Sequence, residues 1–338
     1  VYNVDILEQV THVSDISVDG LEKGETWNAP PATMSELKAY FEDVVAYDNG
    51  RGAIVPFGWT GNNPEGFFNF LYPVWAQYQG VEESKVPDQG SYYDFWNVGN
   101  TVAVESAEDR QTISLDGFDQ DGLAVAFDTL IDLIVENGQY VNGLSDASSL
   151  TPQELQKTIV ANSVDTNCAV ALGSSYLEYE ADNNGFLDSD KDGERDYRIA
   201  FMAVPAIEGY EGEDILYTPV SDVMFIPAQA DHIELAKSFL IFLCNQEQLE
   251  YFTTSSGSIR PFNYDPLAIE GAEYSDFTKS VFDIYYDSIH LMEYPKGIAR
   301  NQVSYVYRYE KIKPIGTTSI NTVYSDLRTK TGEVIMSG

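Results

Sequence analysis

Apolar residues recur at helical spacing along several stretches of the chain. In the clearest stretch, Thr33 and Glu36 have the spacing of a capping box, and apolar positions then repeat every three or four residues as far as Asn49. A second capping box at Thr151 and Glu154, with proline between them, predicts another helix start. Similar patterns predict helices within 62–80, 119–138, 231–243, 245–257, 274–290 and 320–329.

Shorter apolar runs lie between these helices and predict strands. They cover residues 53–58, 168–172, 197–204 and 222–228. Because helices and strands alternate, we predict an α/β fold with largely parallel, buried sheets.

The charge of the chain limits its partners. Lysine and arginine number 19 against 54 aspartates and glutamates, which gives a formal net charge of −35. Such a surface repels nucleic acid and anionic membranes, so we expect neutral or cationic partners. The longest apolar run, residues 239–244, is far too short to span a bilayer. No signal peptide is present, so we interpret the sequence as a mature chain or part of one.

Cysteine and histidine give no sign of a catalytic or metal centre. The two cysteines, Cys168 and Cys244, do not form a disulfide framework, and we expect both to be small buried side chains. The three histidines, His12, His232 and His290, lack metal-ligand spacing, and we expect structural roles for them.

The segment 188–196 has the spacing D-x-D-x-D-G-x-x-D, which is typical of a calcium loop. Calcium needs several oxygen ligands, and alternate carboxylates on a turning backbone converge on one point. The twelfth position is Ile199, where an EF-hand would have glutamate, so we favour a structural ion over a sensor. A solvent-exposed acidic turn is the alternative in so acidic a protein. The predicted ligands are Asp188, Asp190, Asp192, Glu194 and Asp196.

An ordered series of short motifs resembles the extracellular solute-binding proteins of ABC importers, in the carbohydrate-binding class that includes maltose-binding protein. Residues 1–7 resemble the "YNKDLF" element of that family, and residues 31–37 resemble its "P-x-T-W-x-E-L" helix start. Residues 75–80 are similar to its aromatic helix, and residues 169–176 to "AAM-x-x-x-GSW". The strongest likeness is over 222–257.

The resemblance implies a two-lobe periplasmic-binding-protein-like fold with a hinge and a ligand cleft. It assigns residues 1–218 mainly to the second lobe, 219–290 to the first lobe and 291–338 to the second lobe again. Family members carry about a hundred residues before the "YN" element, so the first lobe is expected to be incomplete in this chain. The implied protein is a monomeric, cell-envelope lipoprotein outside the cell that delivers sugar to an ABC permease.

Aromatic and polar side chains that follow strands are candidates for contact with a sugar, because rings stack on pyranose faces and polar groups bond hydroxyls. Trp59 follows the strand 53–58 directly, and Tyr176 occupies the family position of a stacking tryptophan. Structural packing is the alternative for each candidate, and a salt bridge is the alternative for Arg260. The candidate ligand residues are Trp59, Asn62, Tyr176, Asp222, Arg260, Tyr305 and Tyr307.

Two other tryptophans fit structural roles better. Trp75 lies on an apolar helical face, and Trp27 lies in a segment rich in glycine and proline.

A secreted, calcium-stabilised carbohydrate hydrolase is the main alternative function, but it would need two carboxylates at one scissile bond, and no motif places such a pair. We therefore predict a binding protein and not an enzyme.

Overall fold

A computed structural model describes residues 1–48, 53–58, 64–93, 120–133, 140, 151–161, 166–188, 191–218 and 224–291. The predicted alternation of helices and strands is confirmed in these ranges. No helix in them is both long enough and apolar enough to cross a bilayer.

The larger sheet has the strand order β2-β3-β1-β4. Its strands are β1 (Tyr2–Asn3), β2 (Ile54–Gly58), β3 (Asn167–Ala171) and β4 (Ile199–Ala200). Strands β2 and β3 are parallel, whereas β1 pairs antiparallel with both β3 and β4. Every residue of β3 is buried, as its continuous apolar run predicted.

A second, two-stranded sheet pairs β5 (Ile215–Tyr217) in parallel with β6 (Ile289–Leu291). The apolar pattern of the sequence did not predict these strands. It predicted strands over 197–204 and 222–228 instead, but only Ile199–Ala200 is a strand in the first range. The described part of the second range, 224–228, is not a strand, and Phe225 is exposed there without a neighbouring strand to bond its backbone.

In the described part of the chain, six helices come before β4. They are α1 (Val4–Leu7), α2 (Met34–Asp48), α3 (Pro64–Gln79), α4 (Asp121–Ile131), α5 (Pro152–Val160) and α6 (Leu177–Asn183). Both predicted capping boxes are confirmed. The Thr33 hydroxyl accepts from the Glu36 amide at 3.1 Å, and the Glu36 carboxylate accepts from the Thr33 amide at 3.2 Å. Thr151 and Glu154 form the same reciprocal pair at α5.

Between β5 and residue 291, the described residues form three further helices and a short 3-10 helix. They are α7 (Ile233–Leu243), α8 (Gln246–Ser256), the 3-10 helix Pro266–Ala268 and α9 (Asp276–Asp287). Helix α7, predicted within 231–243, begins after His232, whose side chain makes no capping bond. Helix α8 ends at Gly257, which has φ +66° in the left-handed region that favours glycine.

The buried side chains form two clusters around the larger sheet. One cluster joins α2, α3 and α4 to Phe57 of β2, and it contains both Trp27 and Trp75, as predicted for structural tryptophans. The other joins α5, α6 and α9 to Cys168 of β3, and it contains Phe277 of α9. Of the two cysteines, Cys168 is buried as predicted, whereas Cys244 is only partly buried.

Helix α9 lies within 219–290, the range predicted to belong to the first lobe. Its residues Phe277, Val281 and Phe282 nevertheless pack in one cluster with α5 and α6. This packing groups α9 with the part of the chain predicted to be the second lobe. The division into lobes is otherwise still a prediction.

Asp43 of α2 holds the segment that precedes the helix. One carboxylate oxygen accepts from His12 Nδ1 at 2.8 Å and from Trp27 Nε1 at 2.9 Å. The other accepts from the backbone amides of Val13 at 2.8 Å and Ser14 at 2.7 Å. Asp43 and His12 are both buried, which confirms the structural role predicted for this histidine.

Candidate functional site

The parallel strands β2 and β3 end side by side. Gly58 pairs with Ala171 at the ends of the strands, and the amide of Leu172 donates to the carbonyl of Gly58 at 3.1 Å. Ligands of α/β proteins commonly bind at such carboxyl ends of strands. The loop that follows β3, which leads to Tyr176, therefore starts at the edge expected for a ligand.

Tyr176 lies at the first turn of α6. The turn is defined by two backbone bonds, from the Leu177 amide to the Ser174 carbonyl and from the Glu180 amide to the Tyr176 carbonyl, each 3.1 Å. Tyr176 is 48% exposed, although most large aromatic residues of the neighbouring clusters are buried. An exposed ring on a fixed turn can stack on an apolar sugar face.

Glu178, two residues after Tyr176, joins this turn to two other segments. One carboxylate oxygen is paired with Nη1 of Arg195, from the acidic loop. The other accepts from the hydroxyl of Ser275, the residue that caps α9, and from the Thr278 hydroxyl at 3.5 Å. Glu178 is buried, and these partners compensate the charge of its carboxylate.

The C-terminal end of α8 also lies next to Thr278. A Cβ atom on Gly257 would lie 2.5 Å from the hydroxyl oxygen of Thr278, so the C-terminus of α8 packs directly against the first turn of α9. Arg260 follows three residues later. The structure thus brings the segments of Tyr176 and Arg260 to the same end of α9.

Arg260 is partly buried, and its guanidinium lies 4.0 Å from the centroid of the Phe252 ring. Its backbone amide donates to the hydroxyl of Tyr264 at 3.1 Å. Arg195 and Arg198 both pair with carboxylates, whereas among the described residues no carboxylate pairs with Arg260. The salt bridge considered for Arg260 is therefore not found in this part of the chain, and its N–H donors are available to hydroxyl or carboxylate oxygens.

The acidic loop folds back on its first aspartate. The carboxylate of Asp188 accepts from the amides of Asp192 and Gly193, both at 3.0 Å, and the Asp192 carboxylate accepts from the Glu194 amide at 2.8 Å. Asp190 lies outside the described residues. Within the described ones, no group of three acidic, histidine or cysteine side chains could hold a metal ion.

Several predicted site residues cannot be placed. Trp59, Asn62, Asp222, Tyr305 and Tyr307 lie outside the described residues, so their contacts stay predictions. The sequence reading missed Glu178, because it stands among other acids in α6 and its partners are 17 and 97 residues away.

A shallow depression of about 620 Å³ lies between the 3-10 helix and α9. It contains none of the predicted ligand residues, and its wall mixes charged and apolar side chains. Its lining residues are Leu267, Ala272, Glu273, Tyr274, Lys279 and Asp283. The sheet edge near Tyr176 is therefore the stronger candidate site.

Solved structures with the same fold bind sugars, according to their descriptions. A sugar transporter from Bacillus licheniformis, in complex with stachyose, has 16% identity and a TM-score of 0.58, over 97% of this chain and 69% of that one. The sugar-binding protein MalE from Xanthomonas citri has 11% identity and a TM-score of 0.61, over 99% and 68%. A chitin oligosaccharide binding protein has 12% identity and a TM-score of 0.61, over 99% and 69%.

No family model and no curated protein sequence matches the chain. The likeness to the solved structures shows the fold: the chain has the two-lobe α/β architecture of these sugar-binding proteins. It spans about two thirds of each of them, which agrees with the predicted incomplete first lobe. The predicted fold class is thus confirmed.

Proposed function

We propose that this protein is the solute-binding component of an ABC importer, and that it captures a sugar or oligosaccharide in a cleft between two lobes. The fold it shares with proteins described as sugar-binding carries this proposal. The half-exposed Tyr176 after β3 and Arg260 near α9, which has no carboxylate partner among the described residues, support it, since they offer a stacking surface and hydrogen-bond donors.

The proposed mechanism is capture without chemical change. A sugar would stack on Tyr176, its hydroxyls would bond polar groups such as Arg260, and hinge closure would couple these contacts to lobe orientation. A permease in the membrane would then recognise the closed form. We infer a monomer outside the cytoplasmic membrane, held by a lipid anchor, and the charge of −35 argues against nucleic acid as a partner.

Thermal unfolding of the protein with a panel of oligosaccharides tests this function. A ligand at a hundredfold excess over its dissociation constant adds about 2.7 kcal/mol to the unfolding free energy, which gives a measurable rise in Tm. Each mixture is analysed afterwards for the length of the sugar. A rise with intact sugar supports a binding protein, whereas shortened sugar would identify the hydrolase alternative. The absence of any rise across the panel would contradict sugar capture.

We also infer that the loop 188–196 holds a structural calcium ion. Its donor set consists of oxygen atoms only, which suits a hard cation, and the chain folds so that the carboxylates of Asp188 and Asp192 belong to one turn. Asp188, Asp190, Asp192 and Asp196 would provide carboxylate oxygens, and Glu194 would provide its carbonyl.

Calcium removal tests this ion. We expect a chelator to lower the Tm of the parent protein and to have no effect on an Asp190→Ala variant, because metal binding contributes to folding free energy. Asp182→Ala, which removes an exposed acid of α6 outside the loop, is the control and should keep the calcium response. A parent melting curve that is the same with calcium and with chelator would rule the ion out.

A further inference from the structure

Glu178 joins three segments of the chain: its own helix α6, the acidic loop and the start of α9. Its carboxylate contacts Arg195 of the acidic loop and the hydroxyls of Ser275 and Thr278 at the start of α9, and Thr278 in turn contacts Gly257 at the end of α8. Glu178 itself belongs to the first turn of α6.

The position of Tyr176 depends on this turn. Tyr176 precedes α6 directly, and its own side chain makes no capping bond to the helix. The residue is 48% exposed, so neighbouring side chains cover only part of its ring. The orientation of the ring is therefore set by the backbone of the turn, and the buried carboxylate of Glu178 is the polar anchor of that turn.

We propose that Glu178 is the positioning residue of the ligand site, and that its ion pair with Arg195 couples the acidic loop to the turn that carries Tyr176. This inference rests on the proposed function, because it assigns Tyr176 to a ligand contact. Loss of either partner frees the turn to move, so a ligand must order it again on binding and binds more weakly.

Two arginines near each other in the chain provide a matched pair for the test. Arg195 is 47% exposed and reaches Glu178, whereas Arg198 is 54% exposed and pairs with Asp5 and Glu8 instead. Each variant removes the charge of a partly exposed arginine that pairs with carboxylates, one for Arg195 and two for Arg198. Only Arg195→Gln removes a contact to the turn of Tyr176.

The experiment measures the affinity for an oligosaccharide that raises the Tm of the parent, in Glu178→Gln, Arg195→Gln, the double variant and Arg198→Gln. We expect each single change in the Glu178–Arg195 pair to weaken binding about five- to tenfold, with no further loss in the double variant. Arg198→Gln should stay within about twofold of the parent. Equal losses in Arg195→Gln and Arg198→Gln, or no loss in the first, would overturn the proposal.

Hydrogen exchange of the ligand-free protein gives a second readout that needs no sugar. We expect the amides of Leu177 and Glu180, which close the turn, to exchange faster in Arg195→Gln but not in Arg198→Gln. Arg195→Gln carries the test even if Glu178→Gln does not fold. Unchanged exchange would overturn the coupling, whereas faster exchange in a protein that binds no sugar would keep the coupling and contradict the proposed function.

Discussion

Helices α2 and α7 have similar patterns in sequence and very different surroundings in the structure. A polar residue directly precedes each helix, Thr33 before α2 and His232 before α7, and both helices carry apolar side chains at helical spacing. Helix α2 buries Leu37, Tyr40, Phe41 and Val44 in the larger cluster, whereas every α7 side chain is exposed or only partly buried. Periodicity thus predicts a helix and its apolar face, but it does not show what that face packs against.

The polar anchor of α2 should show the largest effect. Asp43→Ala removes the acceptor of four hydrogen-bond donors and leaves those of His12 and Trp27 buried without this partner. We expect a loss of about 3–5 kcal/mol in unfolding free energy, measured by urea denaturation. Glu234→Ala on α7 removes only an exposed pair with Lys237 and should cost less than about 1 kcal/mol. Similar losses for both would contradict the contrast between the helices.

Leucine truncation tests the apolar faces in the same way. Leu37 of α2 is 1% exposed, and Leu235 of α7 is 70% exposed. We expect Leu37→Ala to lower the unfolding free energy by about 2–5 kcal/mol, because it opens a cavity in a packed cluster. Leu235→Ala should change it by no more than about 0.5 kcal/mol. A large loss for Leu235→Ala would mean that α7 is covered in solution.

Substitution of Tyr40 in α2 should change the unfolding free energy less than these truncations do, and in the opposite direction. Tyr40 belongs to α2, and its ring is fully buried. Its hydroxyl has no hydrogen-bond partner among the described residues. Burial therefore raises the pKa of Tyr40. Because the hydroxyl is desolvated without compensation, Tyr40→Phe should raise the unfolding free energy by about 1 kcal/mol. The control is Tyr140→Phe, since the Tyr140 hydroxyl donates to Glu42 at 3.4 Å and its loss should destabilise the protein. Destabilisation by Tyr40→Phe would reveal a partner, such as a bound water.

Most helices and the central strands could be predicted from the sequence, because capping boxes and apolar periodicity are local signals. Thr33 with Glu36 and Thr151 with Glu154 marked their helix starts correctly. Strands β5 and β6 are only three residues each, and their pairing joins residues more than 70 positions apart. The apolar run at 224–228 carried a stronger local strand signal, yet it has no strand partner.

The candidate site could be predicted only in part, for the same reason. Tyr176 was found because it follows a buried strand and occupies a motif position. The neighbourhood of Arg260 and the anchoring role of Glu178 depend on contacts between α6, α8 and α9, which no local pattern encodes. Buried polar residues with distant partners are therefore the part of the site that the structure adds.

Calorimetric titration of an oligosaccharide into the parent protein and two tyrosine variants tests the central claim most directly. Tyr176 directly precedes α6 and Tyr179 is the third residue of the helix, and the two are 48% and 46% exposed. We predict that Tyr176→Ala weakens binding by about 1–3 kcal/mol, whereas Tyr179→Ala leaves it unchanged. Parent-like affinity in Tyr176→Ala, or equal losses in both variants, would contradict a sugar site at the end of β3.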